Sequence, residues 1–157
     1  MQGLSPICFE SVSAVTLTPS VDIGTRRTVS GCDYVYVYNT GTDTAIVGGA
    51  VVFASSASGY SVAASAVTMT DLGVGIVNNV AIPTLSYGWV LTRGYAKFNA
   101  GASDSFAVGN PLAVAVSGAF GNKTICTGYM TPVVGKCQLV TASGLTGTGA
   151  AFFNFCI

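Results

Sequence analysis

The sequence predicts an all-β domain, a compact barrel or sandwich of about ten short strands with an extended N-terminal arm. Three observations lead there. Apolar and β-branched runs are short and separated by clusters of Gly, Asn, Asp and Ser, the alternation of strands with turns. No window carries a 3.6-residue apolar stripe with caps, so helix signals are nearly absent. The 157 residues are enough for one domain with a real core.

The elements follow in order. SAVTLTPSV (13–21) alternates Val15 and Leu17 with Thr16 and Thr18. It belongs to residues 1–30, which also hold Pro6, Pro19 and the Arg26-Arg27 pair. This stretch reads either as an arm that pairs with another surface or subunit, or as a first edge strand of the barrel domain, 31–157. DYVYVYN (33–39) sets Tyr34, Tyr36 and Tyr38 on one face and Val35 and Val37 on the other, then runs into the turn cluster 39–43. AIVGGAVVFA (45–54), the turn and strand SASGYSVA (56–63), GVGIVNNVAI (73–82) and GWVLTRGYAKF (88–98) come next. PLAVAVS (111–117), TICTGYM (124–130), CQLVTAS (137–143) and AAFFNFCI (150–157) complete the set.

One internal repeat is visible, DTAIVG (43–48) over DSFAVG (104–109), at an offset of 61 residues. Asp43 aligns with Asp104, Val47 with Val108 and Gly48 with Gly109. The physical reading is a repeated corner. The aspartate bonds nearby amides, the valine plugs the core, and the glycine permits a positive φ before the next strand.

The stretch around the only tryptophan needs a phase change. Strict alternation from Trp89 would place Trp89 and Leu91 on the same face as Arg93 and Lys97. A β-bulge at Arg93-Gly94 resolves this. Trp89, Leu91, Ala96 and Phe98 then face inward, while Val90, Thr92, Tyr95 and Lys97 face out. Trp89 becomes a core anchor rather than an exposed platform, and Gly94 the bend.

Charged residues are 8% of the chain, against ~25% in average soluble domains. Six acidic residues balance six basic ones, so no long-range field attracts nucleic acid or an anionic membrane. The apolar stretches are interrupted well short of the roughly 20 residues a spanning helix needs, and MQGLSPICFES lacks the pattern of a signal peptide. A neutral, weakly charged surface favours association, which points to a lasting neighbour. Five cysteines, Cys8, Cys32, Cys126, Cys137 and Cys156, lie at wide spacings with no CxxC. With no histidine present, they read as reduced, buried thiols rather than a metal site. No cofactor motif is found, and general acid–base work would fall to scattered carboxylates, so the chain does not read as an enzyme.

Four features carry a family resemblance: Gly75-Ile76-Val77, Tyr87-Gly88-Trp89-Val90, Arg93-Gly94-Tyr95-Ala96 and Val108-Gly109-Asn110-Pro111-Leu112. With them, residues 73–124 resemble small capsid decoration (cement or head-stabilisation) proteins of tailed bacteriophages. Asn110 stands where that pattern usually has aspartate. The resemblance covers about a third of the chain well. It implies a small β-barrel of the β-tulip or SH3-like kind that binds the major capsid protein on the capsid exterior of the virion. It also implies a homo-oligomer, with a trimer favoured, assembled after synthesis in the host cytoplasm. The rival reading is a tail-tip or head-fibre module that contacts host glycans.

Candidate interface residues follow from exposure and chemistry. The Tyr34, Tyr36 and Tyr38 row is either a contact face or a face packed under a neighbouring loop. Arg93 and Lys97 either pair with acidic groups on a capsid surface or simply solvate their strand, and Arg26 and Arg27 either dock the arm or are simply exposed.

Overall fold

The computed structural model describes residues 11–53, 60–63, 73–100, 107–114, 119–122, 135–140 and 148–155. Among them are ten strands and no helix: β1 (Arg26–Val29), β2 (Cys32–Asn39), β3 (Ala50–Phe53), β4 (Ser61–Ala63) and β5 (Gly73–Ile76), then β6 (Tyr87–Asn99), β7 (Pro111–Val114), β8 (Phe120–Asn122), β9 (Gly135–Val140) and β10 (Thr148–Asn154). Their order in the sheet is β1-β2-β4-β3-β5-β6-β10-β9-β7-β8. A further pairing of β2 with β6 closes the five strands β2, β4, β3, β5 and β6 into a barrel. The protein is an all-β barrel with extra strands.

Alternation explains why the wall has two dry faces. Val35 and Val37 of β2, Val51 of β3, Val62 of β4, Val74 of β5 and Val90 of β6 are fully buried together. Every barrel strand contributes to this cluster, and Ala45, Val77 and Ile82 complete it. A five-stranded barrel has a narrow lumen, and valine fills it without strain. Gly88 follows from that crowding, because a Cβ there would lie 2.8 Å from the Ile82 side chain.

The opposite face of the same strands carries the large residues. Tyr34, Tyr36, Trp89 and Leu91 join Phe98, Phe120, Phe153 and Phe155 in a second cluster, which ties β6 to β7, β8 and β10. Phe120 and Phe153 lie 5.0 Å apart between ring centroids. Fully burying each such side chain contributes about 1.5–3 kcal/mol.

The segment before β1 covers part of this outer layer. Thr16 exchanges two backbone hydrogen bonds with Tyr87 on β6, and Gly24 and Thr25 bond Tyr36 on β2. The chain between them crosses the tyrosine face as a strap. Beneath it, Tyr36 Oη lies 3.0 Å from Thr16 Oγ1 and accepts from Ser20 N at 3.3 Å. Val12 and Val21 pack on the same cluster. Residues 13–21 therefore form one bridge instead of the strand their alternation predicts. The edge strand is β1, joined to β2 by Ser30-Gly31, both at positive φ (51° and 77°), as in a type I′ hairpin. The division at residue 30 falls inside that turn.

Among the described residues the corner occurs three times. Turns 22–25, 46–49 and 107–110 each close with a first-to-fourth backbone hydrogen bond, of 3.0, 2.9 and 3.0 Å. Each has glycine at positive φ in third place (Gly24, Gly48, Gly109), and a strand starts with the next residue after each turn. The valines behave differently from the sequence reading. Val47 and Val108 are exposed (43% and 69%), because the second residue of such a turn points away from the sheet, so they do not plug the core. In the 39–43 turn that leads into the 46–49 corner, Asn39 is the buried clamp. Its Nδ2 donates to the Asp43 and Ile82 carbonyls at 2.9 and 3.0 Å, and its Oδ1 accepts from Gly41 N at 3.0 Å. Asp104 lies outside the described residues, as does the strand predicted at 124–130.

Candidate docking face

β6 builds the site by changing phase midway. Asp33 pairs with Arg93 while Tyr34 pairs with Leu91, so Thr92 is the extra residue of a bulge, which stands one residue before the Arg93-Gly94 that alternation predicts. Gly94, two residues on, has φ +136° and is packed so tightly that a Cβ would meet Cys32 Sγ at 2.6 Å. Before the bulge, Trp89 and Leu91 face the aromatic layer; after it, Ala96 and Phe98 do. Arg93, Tyr95 and Lys97 consequently point to solvent. Two residues expected outward are not. Val90 is inside the barrel, and Thr92 is buried with its Oγ1 donating to the Asp33 carbonyl at 3.1 Å, because the closed wall leaves no wet face there.

Pairing with β10 widens the row into a strip. Arg93 stands beside Asn154, Tyr95 beside Phe152 and Lys97 beside Ala150. The Tyr95 and Phe152 rings meet edge to face at 5.2 Å, and Tyr95 is 60% exposed. At one end of the strip lies a groove of about 320 Å³, lined by Arg26, Arg27, Thr28, Asp33, Tyr34, Thr92, Arg93, Asn154 and Phe155. All three arginines of the chain meet there. Three arginines against Asp33 leave a formal +2 among these lining residues.

Asp33 is already engaged. It accepts from Thr28 Oγ1 at 2.7 Å, and Arg93 Nη1 lies 4.0 Å from its second oxygen. Both partners of that ion pair are well solvated, so it contributes ~0–1 kcal/mol and mainly orients the guanidinium. Arg26 Nη2 donates to Tyr60 Oη at 3.2 Å. At the other end, Val47, Asn78, Tyr95, Ala96, Lys97 and Ala150 line a shallow depression.

The structure thus brings Arg26 and Arg27 beside Arg93 in one groove, leaves Lys97 at the other end of the strip, and takes Tyr36, the middle of the tyrosine row, out of the candidates. Tyr34 and Tyr36 are buried within the chain (6% and 0% exposed), and Tyr38 stacks on Tyr87 at 4.5 Å. Over Tyr36 the cover is the strap, whose Thr16 and Ser20 bond its hydroxyl. Sequence reasoning missed Phe152, Asp33 and Asn154, which reach the strip only through strand pairing. Period-two spacing within β10 was the one available signal for Phe152 and Asn154. Among the described residues no group of three His, Cys, Asp or Glu could hold a metal ion, and Cys32 is a free, half-buried thiol. Compared with known proteins, the chain matches no family model and no curated protein.

Proposed function

We propose that the protein is a structural virion component that decorates a phage capsid by binding the major capsid protein, without chemistry of its own. The resemblance of residues 73–124 to capsid decoration proteins motivates the reading. The observation that carries it is the outward strip Arg93, Tyr95, Lys97 and Phe152, running into the three-arginine groove. Aromatic residues and arginine are the types enriched in protein interfaces. A multi-copy shell protein, as a trimer or on a repeating lattice, adds weak contacts of this size through avidity. The rival glycan-binding reading loses its best platform, since Trp89 is 5% exposed and faces the aromatic layer.

The test is immunogold electron microscopy of particles from the phage whose genome encodes the chain. Gold over the whole head is the expected result. Gold confined to a tail tip or fibre would transfer the function to receptor binding.

A further inference from the structure

Resting on the docking reading above, the geometry points to the class of segment the strip receives. We propose that it binds an extended acidic segment of a different protein, with carboxylates at positions i and i+4 and an apolar or aromatic side chain at i+2.

The spacing carries this. Arg93, Tyr95 and Lys97 project from one face of β6 at period two, so the cations stand four residues apart, about 13 Å along the strand. An extended segment lying along them repeats with the same period. Its first carboxylate enters the groove of Arg26, Arg27 and Arg93, where the planar guanidinium groups favour paired hydrogen bonds to a carboxylate. Its middle side chain rests on Tyr95 and Phe152. Its second carboxylate reaches Lys97.

Two observations narrow the partner. A nucleic-acid strand would need a continuing row of cations, yet on β6 and β10 the positions between Arg93 and Lys97 are the aromatic Tyr95 and Phe152, and the groove contains Asp33. The chain as a whole has no net charge to attract a polyanion. A second copy of this chain does not supply the motif either. Its acidic residues are Glu10, Asp22, Asp33, Asp43, Asp71 and Asp104, and no two of them stand four apart.

The experiment titrates the full-length protein, labelled with ¹⁵N, with a heptapeptide carrying Asp at its second and sixth positions and Phe at its fourth. The expected result is a set of amide shifts on β6 and β10 that saturates at millimolar peptide. Replacing both Asp by Asn should weaken binding about tenfold or more. R93E with K97E distinguishes recognition from folding: it takes the groove's lining residues from a formal +2 to 0 and should lose this peptide while keeping the amide dispersion of the folded protein. No shift at millimolar peptide, unchanged peptide affinity in the R93E/K97E protein, or shifts instead with an eight-residue oligothymidylate would each overturn the proposal.

Binding to phage heads separates this inference from the function beneath it. Heads that take up wild-type and R93E/K97E protein equally, but not Tyr95→Ser, would retire the acidic segment and keep the docking face. Heads that take up none of the three would retire both.

Discussion

Replacing Gly94 by alanine tests the bend on which the docking face depends. Two costs act together. A φ of +136° lies in territory left almost entirely to glycine, and holding another residue there costs about 1–3 kcal/mol. The new Cβ would also sit 2.6 Å from Cys32 Sγ, 3.1 Å from its Cβ and 3.3 Å from its Cα. The sulfur can rotate away, but the Cys32 Cβ and Cα belong to β2 and cannot, so overpacking adds roughly 1–3 kcal/mol. The sum, about 4 kcal/mol, is a large share of the ~5–15 kcal/mol that holds a domain together. At about 2–4 °C per kcal/mol for a chain of this size, Tm should fall by roughly 8–16 °C. Urea unfolding followed through the fluorescence of Trp89, the only tryptophan, reads the same change as a shifted midpoint. Cys32→Ala supplies the second arm of a cycle. In that background the closest contact is gone while the φ strain remains, so Gly94→Ala should cost about 1 kcal/mol less. A single-mutant loss below ~1 kcal/mol would refute the account of the bend at Gly94.

Three further outcomes are expected. Asn39→Ala removes a buried clamp bonded to Gly41, Asp43 and Ile82, and should destabilise by about 2–4 kcal/mol in the same urea assay. Leu85 holds φ +56° with its side chain 61% exposed, so Leu85→Gly relieves strain at little loss of burial; it should raise stability by about 0.5–1 kcal/mol, and a lower midpoint would show that its side chain is held. Tyr36→Phe deletes the hydroxyl that bonds Thr16 and Ser20, costing about 1 kcal/mol, and hydrogen exchange should quicken at amides 14–20 more than in β2.

The two ends of β6 show how much of the site was legible. Its phase change could be read from the sequence, because Trp89 and Leu91 cannot share a wet face with Arg93 and Lys97, and a glycine stands between them. Its neighbours could not be read so directly. Thr92 looked like a surface residue on alternation alone, but β2 and β10 close over it and Asp33 takes its hydroxyl. Alternation leaves the tyrosine row open between a contact face and a covered one, and the structure shows Tyr34 and Tyr36 covered. Period two correctly separates Tyr34, Tyr36 and Tyr38 from the valines, yet periodicity cannot tell an aromatic face that awaits a partner from one covered by the chain's own strap.

By itself, the sequence determined the all-β class, the opposition of valine to aromatic faces and the positive-φ corners at Gly48 and Gly109. These are local consequences of side-chain alternation and glycine's lack of a Cβ. Only the tertiary structure decided which valines are interior, that Val47 and Val108 stand outside, and that Arg26, Arg27 and Arg93 share one groove. Those facts depend on the closure of β2 onto β6 and on the strap, contacts between residues tens of positions apart that local composition does not encode.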